Sequence, residues 1–426
     1  GQLPVLPLRV TADGTDTTMT RSNVQQSQPQ SNPGTGPLEE GGRVDFGRMR
    51  AERLARCLDE VRGEGLDVLV LGDEANARYV SGARRLWLAG TRPFAPGCVL
   101  VAASGSIHLM STWEDGIPQE IPRQNLFGAP WDPGRFVVAL EGVPGLKEAR
   151  RIGIDGMSPM MAALVGSVAP SAELVDATPL LERARRVKTA DELACIETAV
   201  AVAEACLTHS LDRLRPGITE RGLFGTFMER LGDFGLAIPA VEASFSVTPR
   251  HTGPEGATLR RIGTGRHVNE GDLVACDAGV HYAGYEGGLA RTWLCRGAAM
   301  RAATPAQRSL HRRWSVLRDA LLAACRPGRP AGDVLAAYRE SGEKLPGVPV
   351  LHGLGLGMEP PIVGAGVPDD AGASTIIEAG MVVALQGYVH EEGTGGYLGR
   401  DVVAVTGDGL RLLTRHSYGP LADERD

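Results

Sequence analysis

Histidine and carboxylate side chains crowd one short segment, His390-Glu391-Glu392. An imidazole beside two carboxylates could ligate a divalent cation or move a proton near neutral pH. The segment runs straight into Gly393 and reads as a turn, so solvation is expected there rather than ligation. His251 and His281 fall on loop or strand-end sequence with no partner at ligand spacing. Nucleophilic chemistry is less well represented. No Gly-x-Ser-x-Gly elbow occurs. The seven cysteines (Cys57, Cys98, Cys195, Cys206, Cys276, Cys295, Cys325) are scattered, odd in number and never spaced as Cys-x-x-Cys. That pattern argues against both a disulfide framework and a structural zinc site, and for small core residues in a reducing compartment. The glycine runs GLGLG (353–357) and GTGGYLG (393–399) lack a following helix and lysine, so they do not cradle phosphate.

Stronger signals lie in stretches that recur in order. These are VKTADELACIETA (187–199), NEGDLVACDAGVHYAGYEGGLARTW (Asn269–Trp293), LHGLGLGMEPP (Leu351–Pro361), and the paired strands EAGMVVALQGYV (Glu378–Val389) and GGYLGRDVVAVTGDG (Gly395–Gly409). Together they resemble the pita-bread catalytic domain of the creatinase, prolidase and aminopeptidase P family, over about residues 43–420. The resemblance implies an α/β (α+β) fold: a tail over 1–42, a small creatinase-like α/β domain over 43–182, and a pita-bread domain over 183–426. It also implies a homodimer.

In such a family, carboxylates and one imidazole hold two divalent ions that share a water and lower its pKa. Carried over position by position, the resemblance places the first aspartate at Asp277 and the second, eleven residues on, at Gly288. The histidine is His352, the first glutamate position is Gln386, and the second is Arg400, just before Asp401. Two further family histidines fall at Arg260 and near Met358. One carboxylate thus remains where four would offset two dications, and a guanidinium that cannot lose its proton stands at another position. No metal cofactor is expected beyond a single weak divalent ion on Asp277 and His352. Asp277 and Arg400 could instead neutralise each other. Glu286 shares a strand face with Gly288 and could restore a carboxylate, or could be an exposed strand-end residue.

For metal-free chemistry, His352 is the candidate general base or acid, with Asp277 orienting it or holding a substrate cation. Arg400 and Arg260 would bind a substrate carboxylate or stabilise an oxyanion, Gln386 would donate and accept as a neutral group, and Tyr285 and Glu286 would line the same pocket. The plain alternatives are a backbone-bonded His352 and an Arg400 paired structurally to Asp277 or Asp401. The expected activity is metal-independent hydrolysis or elimination at a C–N or related bond of a small carboxylate-bearing or dipeptide-like substrate. A non-catalytic binding protein and a metal-dependent Xaa-Pro peptidase are the alternatives.

Several elements must position these residues. Thr189 to Glu192 forms a capping-box pattern opening a long helix striped by Leu193, Ile196, Ala199, Ala203 and Leu207. The preceding Arg183–Lys188 reads as an exposed basic connection, and further helices are expected at about 306–325 and 331–343. Phe46–Glu64 has helical spacing, Asp67–Leu71 is a short apolar strand, and Gly97–Met110 is a strand pair turning at Ser104-Gly105. Phe136–Leu140 and Arg151–Ile154 read as strands, and residues 1–42 lack periodicity and read as disordered. At 426 residues two domains are expected. A net charge of −7 offers no basic surface for nucleic acid, and no apolar run suggests a membrane partner. A cytoplasmic location follows from the same features.

Overall fold

The computed structural model describes residues 35–39, 42–84, 97–111, 115–128, 133–156, 158–236, 244–251, 263–368 and 372–418. Arg260 and most of the segment read as a tail lie outside the described residues.

The first layer is built from α1 (Gly36–Glu39), α2 (Phe46–Gly63), β1 (Val68–Leu71), α3 (Glu74–Ser81), β2 (Cys98–Val101), β3 (Ser106–Met110), β4 (Leu126–Phe127), α4 (Pro133–Glu141), β5 (Arg151–Ile154), α5 (Pro159–Val168), β6 (Glu173–Asp176) and α6 (Thr178–Arg186). Its strands form one mixed sheet in the order β4-β3-β2-β1-β5-β6. β1 pairs antiparallel with β2 and parallel with β5, so both its edges are bonded, and all four of its residues are buried, Leu69 and Leu71 in one apolar cluster and Val68 and Val70 in another on the opposite face. Phe136–Leu140, whose β-branched content suggested a strand, is helical in α4. Phe136 and Leu140, one turn apart, are buried while Val138 is exposed, so the helical period prevails over local propensity.

The second layer contains α7 (Ala190–Leu211), α8 (Glu220–Asp233), β7 (Ser244–Val247), β8 (Leu273–Tyr282), β9 (Tyr285–Leu294), α9 (Pro305–Ala324), α10 (Gly332–Glu340), β10 (Pro349–Gly355), β11 (Gly357–Gly364), β12 (Val382–Glu391), β13 (Gly395–Val405) and β14 (Leu410–Leu412). An eight-stranded antiparallel sheet runs β11-β10-β12-β13-β9-β8-β7, with β14 beside β13. Both bonds of the Thr189/Glu192 capping box are made at the start of α7. Among the described helices, α7 is long and apolar enough to cross a membrane, but half of that stretch is buried inside the protein against β8 and β9. It is a core helix.

The basic stretch before α7 is not an exposed connection. Residues 183–186 continue α6, and two of its cations are turned inward. Glu359 of β11 accepts Arg185 Nη2 at 2.6 Å and Lys188 Nζ at 2.5 Å, with side-chain exposures of 7% or less for Glu359 and Lys188. Arg185 also donates to Asn76 Oδ1, and Asn76 donates to Asp155 Oδ2. A buried polar chain therefore ties the first sheet to the hairpin β10-β11. Burial works to raise the pKa of Glu359, but Lys188 and Arg185 outweigh it and hold the carboxyl below its usual range.

Candidate functional site

Strand register sets out the site. Gln386 stands opposite Arg400, Arg400 opposite Ala290, Ala290 opposite Asp277, and Asp277 opposite Ser244. Directly opposed residues of antiparallel strands point to one face, so these five make a single row across β12, β13, β9, β8 and β7. Alternation decides which face. Gly399 and Gly387, next to Arg400 and Gln386, lie against the Trp314 ring of α9; a Cβ at Gly399 would sit 2.0 Å from that ring. Gly287 likewise lies against Ala199 and Val200 of α7. The row consequently occupies the face turned away from both helices.

On that face Arg400 Nη2 lies 2.7 Å from Asp277 Oδ1, with side-chain exposures of 3% and 1%. Gly288, two residues along β9 from Ala290, faces Gly279. A Cβ there would lie 3.1 Å from Arg400 Nη2 and only 2.6 Å from the Ala278 carbonyl, so the guanidinium and the neighbouring backbone fill the volume a side chain at 288 would need. Glu286, two residues further on, shares the face, is 8% exposed and stands opposite His281. It is a buried member of the row's face rather than a solvated strand end. His352 stands opposite Ala384, two residues from Gln386 on the same face, and is buried. Its Nδ1 is 3.0 Å from the Gly353 carbonyl, which can only accept, so Nδ1 carries the hydrogen of that contact and a neutral ring has its lone pair on Nε2.

Tyr285 does not line this pocket. Adjacent strand residues face opposite ways, and Tyr285 points to α7, where its hydroxyl donates to Glu192 Oε1 at 2.8 Å and accepts from Arg53 Nη1 at 3.0 Å. Burial, with Arg53 opposing it, raises the phenol pKa well above its usual value, so the hydroxyl stays protonated as the donor. Tyr285→Phe should accordingly lower unfolding stability by about 1–3 kcal/mol in a denaturant titration, by stranding Glu192 and Arg53, while ligand binding in the row is unchanged. Arg260 lies outside the described residues. Nor is Asp401 the partner of Arg400. It faces the helices, accepting from Arg291 Nη2 at 2.9 Å, Arg318 Nε at 2.7 Å and Thr414 Oγ1 at 2.9 Å. Burial would raise its pKa, but Arg291 and Arg318 hold it below the usual carboxylate range.

Arg291 was not singled out from sequence, yet it supports the row from behind. β9 and β13 are in register at Arg400↔Ala290, and Arg291 Nη1 donates to both the Ala290 and the Arg400 carbonyl at 2.8 Å. A fully buried guanidinium thus stands in for ladder bonds at the seam between the two halves of the sheet. A charged residue inside an apolar strand was the available signal. The His390-Glu391-Glu392 segment has structural partners: His390 Nε2 lies 3.0 Å from the Pro249 carbonyl, Glu391 pairs with Arg313, and the exposed Glu392 pairs with His251 at 2.7 Å.

Comparison with known proteins bears on the family and the fold. Residues 194–407 match the model of metallopeptidase family M24, and residues 53–187 that of the creatinase/prolidase N-terminal domain. The chain is 22% identical to the Xaa-Pro dipeptidase of Pyrococcus furiosus over 86% of its own length and 98% of that protein's. It is also 22% identical to a creatinase of a Bacillus species, covering 86% and 91% respectively. The crystal structure of the Pyrococcus horikoshii prolidase superposes with a TM-score of 0.68 at 19% identity, over 87% of this chain and all of that one.

Proposed function

The chain belongs to metallopeptidase family M24, and from that premise we propose that it is a hydrolase of the creatinase/Xaa-Pro peptidase type that works without a two-metal centre. The observation that carries this reading is the buried contact of 2.7 Å between Arg400 Nη2 and Asp277 Oδ1. A dication about 4 Å from the guanidinium would be repelled by about 4 kcal/mol per unit charge at an effective dielectric near 20. Gly288 offers no donor, and Gln386 offers a neutral one. The donor set does not fit a pair of divalent ions.

What the residues do fit is charge-assisted hydrolysis. A water held by His352 Nε2 loses its proton to the imidazole as its oxygen bonds to the carbon of the scissile C–N bond. The electron pair displaced onto the substrate oxygen is met by the Arg400 guanidinium, whose fixed positive charge stands where it develops. Collapse returns that pair to carbon, breaks the C–N bond, and passes the proton from His352 to the departing nitrogen. Asp277 holds the guanidinium by charge, Gln386 binds as a neutral amide, and Glu286 is the second carboxylate on the face, suited to a cationic substrate group. The seven unpaired, buried thiols support a reducing, cytoplasmic setting.

The test is hydrolysis of Xaa-Pro dipeptides and N-guanidino and N-acyl amino acids by protein kept in excess EDTA. Turnover that persists in chelator and falls at least about a hundredfold in His352→Gln is expected. Turnover that appears only with added manganese or cobalt would overturn the metal-free reading.

A further inference from the structure

The row crosses a seam in the sheet. β12 and β13 pair along their length, and so do β8 and β9, whereas β9 and β13 share one position in register, Arg400↔Ala290. His352, Gln386 and Arg400 stand on one side of that line, and Asp277 and Glu286 on the other. The 2.7 Å contact between Arg400 and Asp277 therefore spans it, and any widening of the seam lengthens that contact. Side chains take the place of a longer ladder. The Thr292 hydroxyl donates to the Leu398 carbonyl at 2.9 Å and accepts from the Leu398 N–H at 2.8 Å. Arg291 bonds the Ala290 and Arg400 carbonyls from the helix side.

The chain after β14, residues 413–418, runs behind this seam and is fastened to both sides of it. Toward β13, the Leu413 N–H donates to the Val402 carbonyl at 2.8 Å, and Thr414 Oγ1 donates to Asp401 Oδ1 at 2.9 Å. Toward β9, the His416 carbonyl accepts from Arg291 Nε at 3.2 Å, and the His416 ring meets Trp293 edge-on at 5.6 Å. Toward α7, the His416 N–H donates to Glu204 Oε1 at 2.7 Å. Tyr418 completes the fastening. Its carbonyl accepts from the Tyr397 hydroxyl, and its own hydroxyl accepts from Arg318 Nη2 and donates to Asp401 Oδ2 at 3.2 Å. The guanidinium carbons of Arg291 and Arg318 each lie 4.4 Å from its ring centroid. Asp401 pairs with both cations, while the other carboxylate on Arg318, that of Asp319, is exposed to solvent. The π face of Tyr418 adds attraction that a single buried carboxylate does not supply to two guanidiniums.

We propose that residues 413–418 staple the two halves of the site together, and that the ring of Tyr418 is the positioning group for Arg400. The proposal rests on the reading that the cross-strand row does the chemistry. Tyr418 acts through two neighbours. Arg291 holds the carbonyl of Arg400 itself, and Asp401 holds the residue that follows it, so the strand bearing the guanidinium is fixed twice from behind. Without the ring, Arg291 and Arg318 lose a shared partner, Asp401 follows them, and the seam opens under the row.

NMR of the full chain labelled with nitrogen-15 arginine tests this through solvent exchange of the Arg400 Nε–H. The resonance is the one that Arg400→Lys removes. Tyr418→Ala should speed that exchange at least about tenfold, the scale on which a desolvated cation–π contact shifts a local opening. Tyr418→Phe keeps the ring and should stay within about threefold of the parent. Tyr418→Leu keeps apolar volume without a π face, so it should follow alanine, and it carries the test if the alanine protein does not fold. The Nε–H of Arg185, donated to Glu359 at 3.2 Å outside the strap and the row, reports general loosening and should keep its parent rate throughout. An Arg400 rate unmoved by alanine and leucine, or a phenylalanine protein as fast as the alanine one, would overturn the proposal. So would an Arg185 rate that rises with that of Arg400. Exchange reads the geometry of the row and not its turnover, so an inactive row would sink the chemistry and leave this result standing.

Discussion

Arg400→Ala should lower unfolding stability by about 3–5 kcal/mol, because it leaves Asp277 as a charge buried without its cation. Urea titration at neutral pH measures this directly. The companion substitution is more telling. Arg400→Glu alone puts a second carboxylate beside Asp277, and like charges in a buried site repel. Combined with Gln386→Glu, it creates three carboxylates in one row, two on the neighbouring strands β12 and β13 and the third, Asp277, on β8 beyond β9, near His352. That set offers hard oxygen ligands to one divalent ion, and Gly288 adds no side-chain donor. The double variant should be destabilised without metal and regain stability with manganese in proportion to the logarithm of its concentration. The parent protein should show no such dependence. A parent protein stabilised by manganese to the same degree as the double variant would contradict the assignment of the cation to Arg400.

A comparably large effect is expected at Glu359→Gln. The substitution removes the carboxylate that Arg185 and Lys188 share, leaving the buried Lys188 and the partly buried Arg185 facing a neutral amide, and should cost about 3–5 kcal/mol. It also breaks the link between α6 and the hairpin that carries His352, so ligand binding in the row should weaken with it. The pH dependence has a definite sign. Glu359 has a depressed pKa in the folded protein. Its contribution is therefore fully present above the unfolded carboxylate value, near 4.3, and is lost as pH falls through the lower folded value. Asp155, at the other end of the same polar chain, behaves in the opposite sense. Burial pushes it up to about 6, against hydrogen bonds from Gly72 and Asn76. Stability should then fall as pH rises through the interval from about 4 to 6, where Asp155 is protonated only in the folded state. The parent-minus-variant difference isolates Glu359. It should be large and flat from about pH 6 to 8 and shrink only in strong acid. A difference that instead grew on acidification would contradict the ion-pair account.

Much of this architecture was legible because local chemistry and tertiary packing agree. The capping box at Thr189, the apolar run at Val68–Leu71 and the helical stripe of α9 each demand one element type, and each forms it. The strand alternation that puts Glu286 on the face of Gly288 holds because β9 is continuous there and residues two apart on an extended strand point to one side. Errors arose where a side chain's fate depends on distant partners. FVVAL has strand propensity, but α4 packs Phe136 and Leu140 into the first-layer core. Arg185 and Lys188 look solvent-bound in sequence, yet a single glutamate 170 or more positions away turns them inward. Tyr285 is expected in the same pocket as Glu286, but adjacent residues on a strand take opposite faces. Arg291 belongs to no local motif, because its role, completing the seam between β9 and β13, depends on two strands more than 100 positions apart.

One measurement bears most directly on the resident guanidinium: anomalous diffraction at the manganese edge from crystals of the parent protein soaked in manganese. The expected map shows no anomalous peak between Asp277 and Arg400, with the guanidinium within hydrogen-bonding distance of the carboxylate. Paired manganese peaks in that row, with Arg400 swung out of it, would contradict the account.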